Sequence, residues 1–357
     1  MKEENYLFAW SLIPHVGYKR LKKIIDHFGD AKTAWENFKN IDPSFFGPKI
    51  TGYIKEAMSK IDIEIELEKV YKKDVKIVAL SSPDYPLLLK NIASPPIVLY
   101  LKGEFPRGNY ISIVGTRRPS QYGITIAERL SGELVKRGGV IVSGMARGID
   151  THAHRAALQR GGTTIAVLGT GVDVIYPFEN KRLYEDIVSH GAVISEYPMG
   201  TKPKREYFPQ RNRIIAGLSL GTLVVEAPER SGALITANFA TEEGREVFAV
   251  PGPLNSEKSK GTNKLIKSGA KLVENITDII EEFPYVKWRE DTEKEREVGL
   301  NDKEKIVYSL IGDKPKYIDE ISVNSTLTRE EIFSVILTLE LKGYIKEIGG
   351  KRYCKIK

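Results

Sequence analysis

The chain has 357 residues, 41% of them hydrophobic, and carries 54 Lys and Arg against 47 Asp and Glu, for a formal net charge of +7. That length exceeds one ordinary domain and allows a substantial core, while the charge suggests a polyanionic partner. The lone Cys354 excludes an intramolecular disulfide framework and a cysteine-rich zinc site; no apolar run is long enough to span a bilayer, so a soluble, cytoplasmic protein with no membrane partner is expected.

Residues 1–75 read as a helical domain. Within it, the stretch from Leu12 to Ile25 reads as helix, tight Gly17 turn, helix. That is a helix-hairpin-helix or SAM-like pattern, whose turn can offer backbone N–H groups to a DNA phosphate. The run Phe46-Gly47-Pro48-Lys49-Ile50-Thr51-Gly52-Tyr53-Ile54 reads as a degenerate second hairpin. The alternative is a small helical packing domain with a Gly turn. Residues 76–101 hold two strand candidates, 76–80 and 97–101. The prolines between them, Pro83, Pro86, Pro95 and Pro96, forbid a continuous helix.

From Ile111 the alternation is regular. Strands are expected at 111–114, 140–143, 164–168, 192–195, 222–226 and 246–250, with a short final one at 271–273. Helices are expected at 124–136, 149–159, 179–189, 210–217, 233–243, 262–267 and 277–282. Apolar strands with little alternation imply burial on both faces, as in a parallel sheet. The fold class is α/β: an extended Rossmann-like, doubly wound, mostly parallel sheet over 76–283. Residues 284–299 are charged, lack an apolar period and read as a linker. Residues 300–357 read as three helices and a hairpin around Gly349-Gly350, a winged-helix domain. The acidic pair Glu330-Glu331 opens its presumed recognition helix and would face phosphates badly.

In an open parallel sheet, ligands bind outside the carboxyl ends of the strands. Those ends here carry Gly115-Thr116-Arg117-Arg118, then Gly144-Met145-Ala146-Arg147-Gly148. Next come Gly169-Thr170-Gly171 with Tyr176 to Lys181, the 197–213 segment with Lys202, Lys204, Arg205, Arg211 and Arg213, and Glu229-Arg230-Ser231-Gly232. Glycine permits close backbone approach, and arginine offers forked donors to phosphate oxygens. Five such loops suggest a polyanion laid across the sheet edge. The dinucleotide fingerprint needs Gly-x-Gly-x-x-Gly, and the first loop has only Gly115 and Gly123, so phosphate binding fits it better than NAD binding. Tyr176, Phe178, Tyr207 and Phe208 are interleaved with the charges, as in single-stranded nucleic-acid binding, where bases stack on rings. Packing of Tyr176 and Phe178 within the loop is the plain alternative.

Catalytic constellations are poor. His152 and His154 are two apart and do not share a helix face. Asp150 reads as a helix N-cap. Glu226 is the one carboxylate positioned for chemistry, and Glu196 is a weaker candidate. No catalytic residue, metal or cofactor is expected.

Gly115-Thr116-Arg117-Arg118-Pro119, the run from Val142 to Asp150, Phe208-Pro209-Gln210-Arg211-Asn212-Arg213-Ile214-Ile215-Ala216-Gly217 and Ser231-Gly232-Ala233-Leu234-Ile235-Thr236-Ala237 appear in that order. In these motifs the chain resembles the DprA/Smf family of bacterial DNA-processing proteins, over roughly 76–283. The resemblance implies a non-enzymatic core that binds and protects single-stranded DNA. It also implies a homodimer that loads the RecA recombinase during natural transformation. It places DNA contacts at Arg117, Arg205, Phe208, Arg211, Asn212 and the Ser231-Gly232 turn. The loop reading adds Gly115, Thr116, Arg118, Arg147, Lys181, Lys204 and Arg213. The alternative is a nucleotide-processing enzyme similar to phosphoribohydrolases. Gly221 to Glu226 matches part of their motif, but Ser219-Leu220 stands where those enzymes carry a Pro-Gly-Gly run. A protein-binding adaptor is the third reading.

Overall fold

Five helices open the chain: α1 (Glu3–Ser11), α2 (Tyr18–Phe28), α3 (Ala31–Asn37), α4 (Pro48–Ser59) and α5 (Ile63–Tyr71). The computed structural model describes residues 1–290, 300–312 and 315–355; residues 291–299 of the expected linker lie outside the described residues. Asp30 and Asp62 cap α3 and α5 by accepting from backbone N–H groups in the first turn. Trp10 anchors the helical core, with Trp35 and Phe38 set edge-on at 5.2 and 5.3 Å. That core runs on without a break into Val75, Ala79, Val98 and Tyr100. The helices therefore pack directly on the first two strands of the sheet.

The sheet follows in chain order as β1 (Lys76–Ala79), α6 (Leu87–Lys90), β2 (Val98–Gly103), β3 (Asn109–Val114), α7 (Gln121–Lys136), β4 (Gly139–Ser143), α8 (Ile149–Gln159) and β5 (Thr164–Val167). It continues with α9 (Lys181–His190), β6 (Ala192–Ser195), α10 (Tyr207–Leu218), β7 (Gly221–Val224), α11 (Gly232–Glu242), β8 (Glu246–Ala249), α12 (Lys260–Lys267), β9 (Lys271–Leu272) and α13 (Thr277–Ile280). The strand order is β1-β2-β6-β5-β4-β3-β7-β8-β9. Only β1 and β2 run antiparallel to their neighbours; the seven strands from β3 onward are parallel. Every residue of β4, β5, β6 and β7 is buried. Alternate side chains serve two cores. Val114, Val142 and Val224 pack with Ile214, Leu218 and Ala237 of α10 and α11. Ile111, Ile113, Ile141 and Leu223 pack with Leu130, Leu134 and Ala153 of α7 and α8 on the other face.

The chain leaves β3 through β4, β5 and β6 in one direction, then returns to lay β7 on β3's other side. The strand order reverses between β3 and β7, and a crevice opens there at the carboxyl ends. Ser112 and Thr222 join hydroxyls across this seam at 2.7 Å, so neither buried oxygen is orphaned.

The chain divides into two compact units, 1–289 and 290–357. The second holds α14 (Asp302–Leu310), β10 (Lys316–Tyr317), α15 (Ile318–Val323), α16 (Arg329–Leu341), β11 (Ile345–Glu347) and β12 (Arg352–Lys355). Its strands form an antiparallel sheet ordered β10-β12-β11. Glu331 completes a capping box with Thr328 and pairs with Lys303 at 2.7 Å. Those contacts, with Lys303 first, hold its carboxyl down at about 2. One of the two acids that open the presumed recognition helix is thus a helix-starting device.

Candidate nucleic-acid interface

The turn after β3 is pinned from both sides. Thr116 N–H donates to the Glu226 carbonyl at 2.7 Å, and Ile149 N–H donates to the Thr116 carbonyl at 3.2 Å. Gly148 enters α8 at φ 78°, and a Cβ there would lie 2.3 Å from the Thr116 oxygen, so only glycine fits. Asp150 is not the N-cap of α8. Gly148 occupies that position, and the Asp150 carboxylate folds back to accept from Gly144 N–H at 3.1 Å and Ala146 N–H at 3.4 Å. It holds the β4–α8 loop instead.

Against that loop lies Arg211, only 4% exposed. Its guanidinium donates to the carbonyls of Gly144, at 2.9 Å, and of Val167. Burial, opposed by Asp150 and aided by Arg117, lowers its pKa to about 10; it stays protonated at neutral pH. Burial pushes the Asp150 carboxyl up to about 6, opposed first by Arg211 and then by the two backbone donors. The folded value lies above the unfolded one of 3.8. Stability from this group is therefore complete below about pH 4 and is lost as pH rises through about 6. Between pH 4 and 7, denaturant unfolding should show Asp150→Asn gaining roughly 2–3 kcal/mol on the wild type. A difference that does not vary with pH would mean that Asp150 is ionised in the fold throughout.

Phe208, Arg211, Asn212 and Ile215 recur at helical spacing on one face of α10 and line a cleft of about 700 Å³. The opposite walls are Gly115, Thr116 and Arg117 after β3, and Arg230, Ser231 and Gly232 at the start of α11. Lys204 and Arg205 border it. Five basic side chains (Arg117, Lys204, Arg205, Arg211 and Arg230) thus share the cleft with one carboxylate, Asp150. Exposed Arg117 lies over the Phe208 ring, 5.7 Å from its centroid. Tyr176 lies tilted beside Phe208, ring centroids 5.4 Å apart. Asn212 donates to the Gly232 carbonyl at 3.2 Å, and Ser231 caps α11 through Ala233 N–H at 3.3 Å.

Ten of the sequence-derived positions meet in this cleft: Gly115, Thr116, Arg117, Lys204, Arg205, Phe208, Arg211, Asn212, Ser231 and Gly232. Arg147 lines a small recess beside it with Arg117, Tyr176 and Phe208, and pairs with Glu179. Arg118 is exposed but does not line the cleft; Lys181 opens α9, 3.9 Å from Glu185. Arg213 turns to Glu196 at 2.5 Å, and both side chains are largely buried. Phe178 is 74% exposed, so it does not pack within its loop. Arg230 lines the cleft although the motif-based positions omit it; its place in a basic loop after a strand was the available signal.

The other candidate groups have structural partners. Glu226 is buried and accepts from Ser120 N–H at 2.8 Å and Ser120 Oγ at 2.5 Å, at the start of α7. It does not pair with Arg117. His154 is buried against Thr164, Nδ1 to Oγ1 at 2.6 Å, and burial lowers its pKa to about 3. His152 faces Glu128 at 2.8 Å. Among the described residues, no cluster of three or more His, Cys, Asp or Glu could hold a metal, and no helix is long and apolar enough to cross a membrane.

Comparison with known proteins covers both units. Residues 76–284 match the family model for DNA recombination-mediator protein A, and residues 291–351 match that of the DprA winged helix domain. Protein Smf of Synechocystis is 34% identical over 98% of both chains. DNA processing protein DprA of Bacillus subtilis is 42% identical over 68% of this chain and 87% of its own. The crystal structure of Streptococcus pneumoniae DprA superposes with a TM-score of 0.67 and 38% identity, covering 79% of this chain and 98% of that one. A Helicobacter pylori DprA structure, described for its single-stranded DNA binding mode, gives 0.53 and 31% over 58% and 95%. With its sheet core and its winged helix both matched, the chain belongs to the DprA/Smf family.

Proposed function

We propose that this chain is a non-enzymatic single-stranded DNA-binding protein, with the cleft between β3, α10 and α11 as its binding site. One observation carries the reading: five cations and a Phe208–Tyr176 ring pair line one cleft that holds a single, buried carboxylate. Phosphates need the first, and unstacked bases need the second. The Helicobacter pylori relative, described for its single-stranded DNA binding mode, supports the same ligand. Protection of incoming strands, loading of the RecA recombinase in transformation, homodimerisation and a cytoplasmic location belong to the same proposal and rest on family membership.

The competing phosphoribohydrolase-like reading would need a free carboxylate in the cleft. Glu226 is instead spent on Ser120 and does not line the cleft. The test is titration of the full chain with oligo-dT, duplex DNA and nucleoside monophosphates at two salt concentrations, with product analysis. Oligo-dT should bind tightly and salt-sensitively, and the monophosphates should be recovered unchanged. Glu226→Gln should retain oligo-dT binding while losing roughly 1–3 kcal/mol of stability, the worth of hydrogen bonds to a charged acceptor. Free base released by the wild type and abolished in Glu226→Gln would overturn the reading.

A further inference from the structure

Most glycines of this chain are needed by the fold: either φ is positive, or a Cβ would strike a neighbour. Among those whose surroundings are described, Gly17, Gly52 and Gly232 meet neither condition; φ is not in the left-handed region, and a Cβ would find nothing within 4 Å. Gly52 even sits inside α4, where glycine disfavours the helix. Gly17 is the N-cap of α2, a place that suits glycine; nothing within the chain asks for Gly52 or Gly232, whereas close approach by a ligand would. Gly232 borders the cleft described above. Gly17 and Gly52 mark a different surface.

That surface brings two segments together. The His15 ring stands edge-on to Tyr53, centroids 5.8 Å apart, and Lys23 Nζ lies 4.5 and 5.0 Å from the Phe45 and Phe46 rings. Segments 14–25 and 45–55 carry Lys19, Arg20, Lys22, Lys23, Lys49 and Lys55, and no Asp or Glu. Arg20, Lys23 and Lys55 donate to the carbonyls of His15, Phe45 and Ile41, which fixes them without cancelling their charge. Among the described residues none of the six is ion-paired.

We propose that this face of the helical segment binds the phosphate backbone of duplex DNA. Bare backbone and fixed cations can contact phosphates without reading bases. Of the phenyl and phenol rings in the two segments only Tyr53 is exposed, which is a poor platform for the unpaired bases of a single strand. The chain thereby has separate surfaces for paired and unpaired DNA. This goes beyond the cleft and does not depend on it.

The experiment uses the full chain, a blunt duplex and oligo-dT of equal length. Lys19→Glu with Lys49→Glu, and separately Gly52→Leu, should each weaken duplex binding about tenfold or more, as expected when phosphate contacts are lost or blocked. Oligo-dT affinity, which reports the cleft, should stay within about twofold, a change too small for a lost phosphate contact. The melting temperature of Gly52→Leu should not fall, because leucine favours the helix and its Cβ meets no neighbour within 4 Å. A wild type that does not bind duplex overturns the proposal. So does wild-type duplex affinity in both variants, which would leave the face to a protein partner. A lowered melting temperature in Gly52→Leu, with duplex affinity retained in the charge reversal, overturns it as well.

Discussion

Arg211→Ala is expected to lose about 2–5 kcal/mol of stability, because two buried carbonyls lose a charged donor at about 1–3 kcal/mol each. The change strips donors from the Gly144 and Val167 carbonyls and leaves the Asp150 carboxylate buried beside them. Two strand ends lose their common tie to α10 at once, because those carbonyls follow β4 and end β5. Protonation of Asp150, already pushed up to about 6, limits the loss at mildly acidic pH. Arg211→Lys should recover only part of it, since an ammonium lacks the planar fork that reaches two carbonyls. Denaturant unfolding at pH 7 measures this directly. An unchanged midpoint with weakened oligo-dT binding would make Arg211 a direct phosphate ligand and not the support beneath the cleft.

Phe208→Ala should weaken oligo-dT binding by roughly 1–3 kcal/mol, about 5- to 150-fold in Kd. The ring is half-buried, has Arg117 and Tyr176 as neighbours, and lines the cleft. No charge is lost, so the salt dependence of binding should be that of the wild type. Phe208→Tyr should bind almost as tightly, because it keeps the π-face. Full affinity in Phe208→Ala together with a lower melting temperature would reduce the ring to a packing element against Gly169.

Much of the fold was legible because its elements have strong local signals. The helix at 149–159, between Gly148 and Gly161, and the strand at 192–195, directly after Gly191, have the expected bounds. The strands are buried on both faces, as their continuous apolar runs imply. Helix starts were harder. The helix expected from Gln210 begins at Tyr207, because Pro209 looks like a breaker yet sits in the first turn, where its missing N–H has no intrahelical partner to lose. The helix expected from Ile124 begins at Gln121, since Ser120 caps it.

The site was legible as loops but not as partners. Motif order gathered Arg117, Phe208, Arg211 and Asn212, all of which line the cleft. Nothing local shows that Arg211 is buried, that Arg213 turns to Glu196, or that Glu226 reaches Ser120 across 106 residues. Such contacts depend on which strands the sheet places side by side. The reversal that lays β7 beside β3 decides the last of them, and a single sequence does not display it.

The central claim, that the cleft holds the phosphates of a single strand, is tested most directly by oligo-dT affinity across a salt series for the wild type and Arg117→Ala. Exposed Arg117 has no carboxylate partner among the described residues, and its guanidinium stands at the cleft wall over Phe208. Each phosphate contact on a single strand adds about 0.7 to the slope of log affinity against log salt. The prediction is weaker binding to all sequences alike, a slope flatter by about 0.7, and an unchanged melting temperature. Wild-type affinity and slope in Arg117→Ala, with a lowered melting temperature, would contradict it and make Arg117 a structural brace.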